Sequence, residues 1–221
     1  MRIEGIEWRI FDEQIPYPEA LALMEARAEA INAGAAPETI WLMEHPALLT
    51  LPQSFAKDLP AALDCLPVLR QKRGGGPILY GPGLRMAYPL LRVADHAPDI
   101  SCFVRGLEKW AIAAFAEFNL PTVLRPGHLG AWLGRGELGS DQPRQLCSLS
   151  VRVRRGISLQ GLALHLEPDL APLNALRTPD QGEATSLVAL GYPVTQRDLD
   201  VALMRSFKSA MKSVGGSCTT F

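Results

Sequence analysis

The chain has 221 residues, 48% of them apolar, enough to bury a full core in one large catalytic-type unit spanning 1–221. Lysine and arginine number 22 against 23 aspartates and glutamates, so no net field points to nucleic acid or to an anionic membrane surface. No stretch approaches membrane-spanning length, and the opening Met1-Arg2-Ile3-Glu4-Gly5-Ile6-Glu7-Trp8 is acidic where a signal peptide has a cationic start and an apolar run, so a cytoplasmic location is expected.

Tyr17-Pro18-Glu19 opens a predicted helix whose Ala20, Leu23, Met24, Ala28 and Ile31 recur on one face before Asn32 and Gly34 stop it. Thr39-Ile40-Trp41-Leu42-Met43 reads as a buried strand, and Glu44-His45-Pro46 leads to a second apolar run, Ala47 to Leu51. His45 before a proline is either a pocket residue or a structural one. Residues 52 to 72 read as a surface connection broken by Pro52, Pro60 and Pro67, with a short helical turn at Ala61-Ala62-Leu63.

Arg73-Gly74-Gly75-Gly76-Pro77-Ile78-Leu79-Tyr80-Gly81-Pro82-Gly83 is the most informative stretch. Its glycines reach positive φ and let the main chain come close to a bound group, or they form a hairpin between two strands. Met86 to Leu91 reads as a strand. Asp99 then caps a long helix with Phe103, Val104, Leu107, Trp110, Ala114, Phe115 and Phe118 at core spacing, ended by Asn119-Leu120-Pro121. A loop follows with His128, Gly130 and Trp132, and Gly134 to Pro143 is polar and reads as a hairpin tip. Val151 and Val153 alternate with Arg152 and Arg154 in a half-buried strand, whose arginines are a solvated face or contacts for an acidic partner. Thr195-Gln196-Arg197-Asp198 is a capping-box variant opening a helix through Leu199, Ala202, Leu203 and Phe207, which Gly215 and Gly216 end. The four cysteines, Cys65, Cys102, Cys147 and Cys218, have no C-x-x-C spacing and suggest neither a metal site nor a disulfide framework.

Several of these segments, in order from about Tyr17 to Phe207, resemble the lipoyl(octanoyl) transferases. The glycine stretch resembles that family's R-G-G-x-x-T-Y-H-G-P-G-Q, with Tyr80 at the histidine and Leu84 at the glutamine. Arg144-Gln145-Leu146-Cys147-Ser148-Leu149-Ser150-Val151-Arg152-Val153-Arg154-Arg155 resembles K-I-A-A-I-G-V-R-V-R-R, with Gln145 at the catalytic lysine. Gln160 to Leu166 is similar to H-G-x-A-L-N-V, with Gln160 and His165 at the histidine and asparagine. The family's nucleophile stands in P-C-G-I ahead of V-T-S-L, whereas Ala184-Thr185-Ser186-Leu187 follows Leu176 to Glu183 with no cysteine.

The resemblance implies an α+β fold, a mixed β-sheet flanked by helices as in the biotin and lipoate protein ligases. It implies octanoyl transfer from an acyl carrier protein to a lysine of a lipoyl carrier domain, without a cofactor. Arg73, Gly74, Gly75, Gly76, Tyr80, Gly81, Gly83, Gln145, Cys147 and Ser148 are then the ligand-binding candidates, with Leu79, Leu84 and Leu149 as apolar lining. With cysteine, lysine and histidine replaced, impaired transfer is one expectation. A homologue that only binds an acyl group, an acyl carrier protein or a lipoyl domain is another, and a purely structural or regulatory partner without a pocket is a third. If Gln145 faces the pocket, strand alternation puts Cys147 on the same face, as a displaced nucleophile or as a small core residue.

Overall fold

The computed structural model describes residues 1–3, 5–56, 58–63, 65–72, 76–134, 142–177 and 181–213. Arg73, Gly74 and Gly75, most of the expected hairpin tip, Pro179, Gly215, Gly216 and Cys218 lie outside them. Nine strands of the described residues form one mixed sheet: β1 (Arg2–Ile3), β2 (Ile6–Ile10), β3 (Thr39–Met43), β7 (Leu84–Leu90), β13 (Leu162–His165), β10 (Arg144–Leu149), β9 (His128–Leu133) and β8 (Val123–Arg125) in spatial order, with β14 (Glu183–Ala184) also paired to β10. β2 with β3 and β10 with β14 run parallel; the other pairs are antiparallel. Side chains alternate across it. Ile40, Leu42, Ala87, Leu162 and Leu164 join one apolar cluster, while Trp41, Met43, Met86, Tyr88 and Ala163 join the other.

The first cluster is covered by α3 (Ile100–Ala116) and α5 (Gln196–Lys212), the second by α1 (Tyr17–Asn32). Helix α3 starts as its sequence requires, with the Asp99 carboxylate accepting from Cys102 N at 2.7 Å. Helix α5 starts with the reciprocal Thr195–Asp198 capping box. The two helices are tied by Trp110 Nε1, which donates to Leu203 O at 2.9 Å. On α1 the buried stripe is Tyr17, Ala20, Met24, Ala28 and Ile31; Leu23, expected with them, falls beside the stripe and is 44% exposed.

A separate three-stranded sheet joins β4 (Leu48–Pro52) to β5 (Val68–Gln71) in parallel and to β6 (Ile78–Tyr80) antiparallel. The segment 52–72 is therefore not only a surface connection: the strand Val68–Gln71 pairs with Leu49–Pro52. The expected turn Ala61–Leu63 is a 3₁₀ segment. The hairpin of β11 (Arg152–Arg154) and β12 (Ile157–Leu159) packs on α1, with Arg152 and Arg154 reaching Glu25 and Arg154 and Arg155 reaching Glu29. These arginines pair with glutamates of α1 while their side chains stay 30% (Arg152), 39% (Arg154) and 64% (Arg155) exposed, as a solvated face would be.

Across the sheet, β7 and α5 meet through the buried pair Arg85–Asp200, in which Arg85 Nε and Nη2 donate to the two carboxylate oxygens at 2.9 and 2.8 Å. Breaking such a pair on one side leaves an uncompensated buried charge. Asp200→Ala should lower stability by about 3–5 kcal/mol in urea unfolding, and Arg85→Met combined with Asp200→Leu should lose less. A loss below about 1 kcal/mol for the single variant would show that the charge finds water or another partner.

Candidate functional site

A cleft of about 290 Å³ opens where β9, β10, the end of α4 (Leu170–Ala175) and the start of β6 converge. Its walls are Gly76 and Pro77, then Gly127, His128, Leu129 and Trp132 from the β8–β9 turn and β9, then Gln145, Ser148 and Leu149 from β10. Leu173, Leu176, Arg177 and Gln181 close the remaining side. A larger hollow of about 830 Å³ between β1, β2 and α5 lies at the other edge of the sheet and holds none of the residues expected at a site.

Gln145 is 6% exposed and its amide is held at both ends. Nε2 donates to Leu129 O at 2.9 Å, and Oε1 accepts from the Arg177 guanidinium. Arg177 Nη1 also donates to the carbonyls of Gln181 and Gly182, at 3.3 and 3.4 Å. Burial, and secondarily the Arg125 guanidinium, lower the Arg177 pKa to about 10. Both cations lie near the Trp132 ring, Arg125 at 4.9 Å and Arg177 at 5.8 Å from its centroid, and His128 meets the same ring edge-on at 5.7 Å.

Behind the cleft, His165 is buried and donates from Nδ1 to Thr185 O at 2.9 Å. Burial, and next the positive charge of Arg177, lower its pKa to about 4, so the ring is neutral. His45 is also buried and neutral: Nδ1–H donates to Ile15 O, Nε2 accepts from Tyr88 Oη at 2.7 Å, and burial lowers its pKa to about 4. It is a structural polar group of the second cluster.

The expected site residues do not all converge. Gly76, Gln145, Ser148 and Leu149 line the cleft. Tyr80 does not; it is 2% exposed in the second cluster, 4.8 Å from the Tyr17 ring and 5.1 Å from that of His45. Leu79 packs in the small cluster of Leu49, Leu51 and Leu63, and Leu84 in the second cluster. Gly81 accepts from Leu84 N in the β6–β7 turn. Gly83, at φ +78°, is pressed against protein: a Cβ there would sit 2.2 Å from Glu167 O, and its carbonyl accepts from Leu166 N and Glu167 N.

Cys147 also leaves the cleft, for a reason in the backbone. The β10–β9 register shifts between Gln145 and Cys147, opposite Gly130, whose φ of +110° brings β9 so close that a Cβ would lie 1.9 Å from Cys147 O. Beyond the bulge Ser148 takes a place in the cleft wall, and Cys147 is fully buried in the first cluster. Burial pushes its thiol well above the ordinary range.

Arg177, Trp132, Leu129, Leu173 and Leu176 complete the site without having been expected there. The one available signal was Arg177, a cation in the segment where the resemblance has a cysteine.

The profile of the lipoyl protein ligase A/B catalytic domain matches residues 16–199. An octanoyltransferase of Parvibaculum lavamentivorans is 41% identical over 209 residues, covering 93% of this chain and 92% of that one. An octanoyltransferase of Jannaschia sp. is 42% identical over 91% of this chain and 97% of its own. In fold, the bipartite lipoate protein ligase of Thermoplasma acidophilum, solved in a study that includes its E2 lipoyl domain, aligns with a TM-score of 0.67 at 16% identity, over 94% of this chain and 84% of that one. The biotin protein ligase of Aquifex aeolicus aligns with a TM-score of 0.53 at 10% identity, over 96% and 72%. The sheet flanked by helices is thus the one the motifs implied. With identity running through nearly the whole length of its relatives, the chain belongs to the lipoyl protein ligase A/B catalytic domain family, among the octanoyltransferases.

Proposed function

We propose that this chain serves protein lipoylation as an acyl-binding member of the octanoyltransferases in which octanoyl transfer from an acyl carrier protein to a lipoyl-domain lysine is impaired. The carrying observation is that no thiol lines the cleft among the described residues. Cys102 and Cys147 are buried in the first cluster, and Cys65 is exposed outside the cleft lining.

Two-step acyl transfer needs a thiolate to attack the thioester carbonyl and release the carrier thiol, and then an amine to take the acyl group from sulfur. Gln145 can hydrogen-bond a carbonyl but neither carries charge nor moves a proton, and its amide is already held by Leu129 and Arg177. The apolar wall of Pro77, Leu129, Leu149, Leu173 and Leu176 suits a short acyl chain. Burying about six methylenes at about 0.8 kcal/mol each contributes on the order of 5 kcal/mol before ordering costs.

The test is to incubate the purified protein with octanoyl carrier protein and apo lipoyl domain and to follow intact masses of all three. Transfer should be slower by on the order of 10³-fold or more than with a relative that carries the thiol and the lysine. A comparable rate, or an acyl adduct accumulating on the chain itself, would remove the impairment. The alternative, a homologue that only binds acyl groups or carrier domains, is favoured if no transfer is measurable while an octanoyl compound still binds.

A further inference from the structure

We propose that Glu108 is a positioning residue of the cleft, fixing from the helix side of the sheet the peptide plane between Leu129 and Gly130 that holds the Gln145 amide. Its effect on ligands rests on the acyl-binding reading of the cleft; its effect on Gln145 does not.

Glu108 is a carboxyl on the face of α3 that packs Phe103, Leu107, Trp110, Ala111 and Ala114 into the first cluster, and it is 4% exposed. Burial raises its pKa, so the position costs stability unless its oxygens find donors. Both oxygens do. Oε2 lies 3.3 Å from Arg105 Nη1, and Oε1 accepts from Gly130 N at 3.0 Å. Gly130 is the residue of close approach at the β10 register shift, where φ is +110° and Cys147 O leaves no room for a Cβ. The carboxyl thus grips β9 at the irregularity that shapes the cleft wall.

The peptide whose N–H is held by Glu108 also carries the Leu129 carbonyl, which accepts from Gln145 Nε2 at 2.9 Å. In a trans peptide the N–H and the C=O point in opposite directions, so a donor held on the α3 side aims the oxygen at Gln145 in the cleft. Gln145 Oε1 is then left to accept from Arg177. Glycine makes rotation of this plane sterically cheap, and the Glu108 and Gln145 bonds hold it from its two sides. Turned over, the plane would set its oxygen against the Glu108 carboxyl and its N–H against the Gln145 donor. Reversing the Gln145 amide to suit would present its NH₂ to the Arg177 guanidinium.

The experiment compares the full chain with Glu108→Gln, which keeps an acceptor oxygen, and Glu108→Leu, which has none. Amide NMR spectra follow the Gln145 side chain, equilibrium binding of S-octanoyl pantetheine follows the cleft, and urea unfolding establishes that each variant is folded. Glu108→Leu should shift the Gln145 side-chain resonances and weaken S-octanoyl pantetheine binding on the order of tenfold. Glu108→Gln should leave those resonances in place and hold the affinity within about threefold. A folded Glu108→Leu with unchanged Gln145 resonances overturns the proposal and makes Glu108 a group of the core alone. Glu108→Gln behaving like Glu108→Leu overturns it too, as does unchanged affinity in a folded Glu108→Leu. Should Glu108→Leu fail to fold, Glu108→Asp, whose carboxyl falls one methylene short of Gly130, takes its place: it should shift Gln145, and unchanged resonances overturn the proposal. If S-octanoyl pantetheine binds none of the proteins, the acyl-binding reading falls, and the Gln145 resonances decide the role of Glu108 by themselves.

Discussion

Acidification from pH 7 to pH 4 should cost the fold several kcal/mol, because two histidines are buried in their neutral form. His45 and His165 each have a pKa lowered to about 4 from the ordinary 6.5. Below 6.5 the unfolded chain binds protons that the folded chain cannot accept without charging a buried ring. A depressed pKa of this kind gives stability that is fully present above 6.5 and is lost as pH falls through 4. Each histidine then accounts for roughly 3 kcal/mol, and the two together for about 6, comparable to the whole stability of many domains.

The structure shows why the rings resist charging. Both rings are withdrawn from water by burial, and His165 in addition faces the positive charge of Arg177. Two carboxyls act with the opposite sign. Burial raises the pKa of Glu108 and of Asp200, so each contributes stability that is fully present below its unfolded value and lost as pH rises through its folded one. Their effect offsets part of the histidine slope near the acid end of the window. Urea unfolding at pH 7 and 4.5 of the unaltered chain and of His45→Gln separates the contributions, since the carboxyls are common to both. The variant should lose less on acidification, by roughly 2–3 kcal/mol. An identical pH dependence in the two proteins would mean that His45 is charged, or reaches water, in the folded state.

The parts of this architecture legible in the sequence are those governed by neighbours in the chain. Helix α3 could be read from Asp99 and the spacing of Phe103, Leu107, Trp110 and Ala114 because its cap and its period are local. Helix α5 could be read from Thr195 and Asp198 for the same reason. What escaped depends on contacts distant in sequence. Val68–Gln71 has a patterning too short to stand out between prolines, and it is a strand because Leu49–Pro52 offers it a backbone to pair with. The motif positions were traceable one by one, yet their faces were not. Tyr80 follows the alternation of β6 into the second core cluster, and Gly83 is needed for the close approach of Glu167. Arg177 reads as an unremarkable basic residue until Gln145 is seen to share its guanidinium.

Cys147 shows most sharply how one backbone irregularity redirects a side chain, and it should react with iodoacetamide at least about 10⁴-fold more slowly than Cys65. The estimate follows from access. Cys147 is in the middle of the sheet, paired to Leu164 of β13 on one side and to Ala131 of β9 on the other, with no exposed surface. Reagent reaches it when those pairings open, so its rate is scaled by the equilibrium constant of that opening. For a stability of about 5 kcal/mol or more this constant is about 10⁻⁴ or less. The chemistry points the same way. The thiolate is the nucleophile, and burial, reinforced by the Glu108 charge, holds the thiol far above the ordinary range. Cys102, buried on α3, should share the protection, whereas Cys65 is exposed and should label first. Peptide mass mapping over a time course, without urea and then through the unfolding transition, gives the three rates separately. Cys147 labelling should rise in step with the unfolded fraction. Labelling in the native protein ahead of Cys65, suppressed by an octanoyl thioester, would instead put a working sulfur on β10 and overturn the proposed impairment.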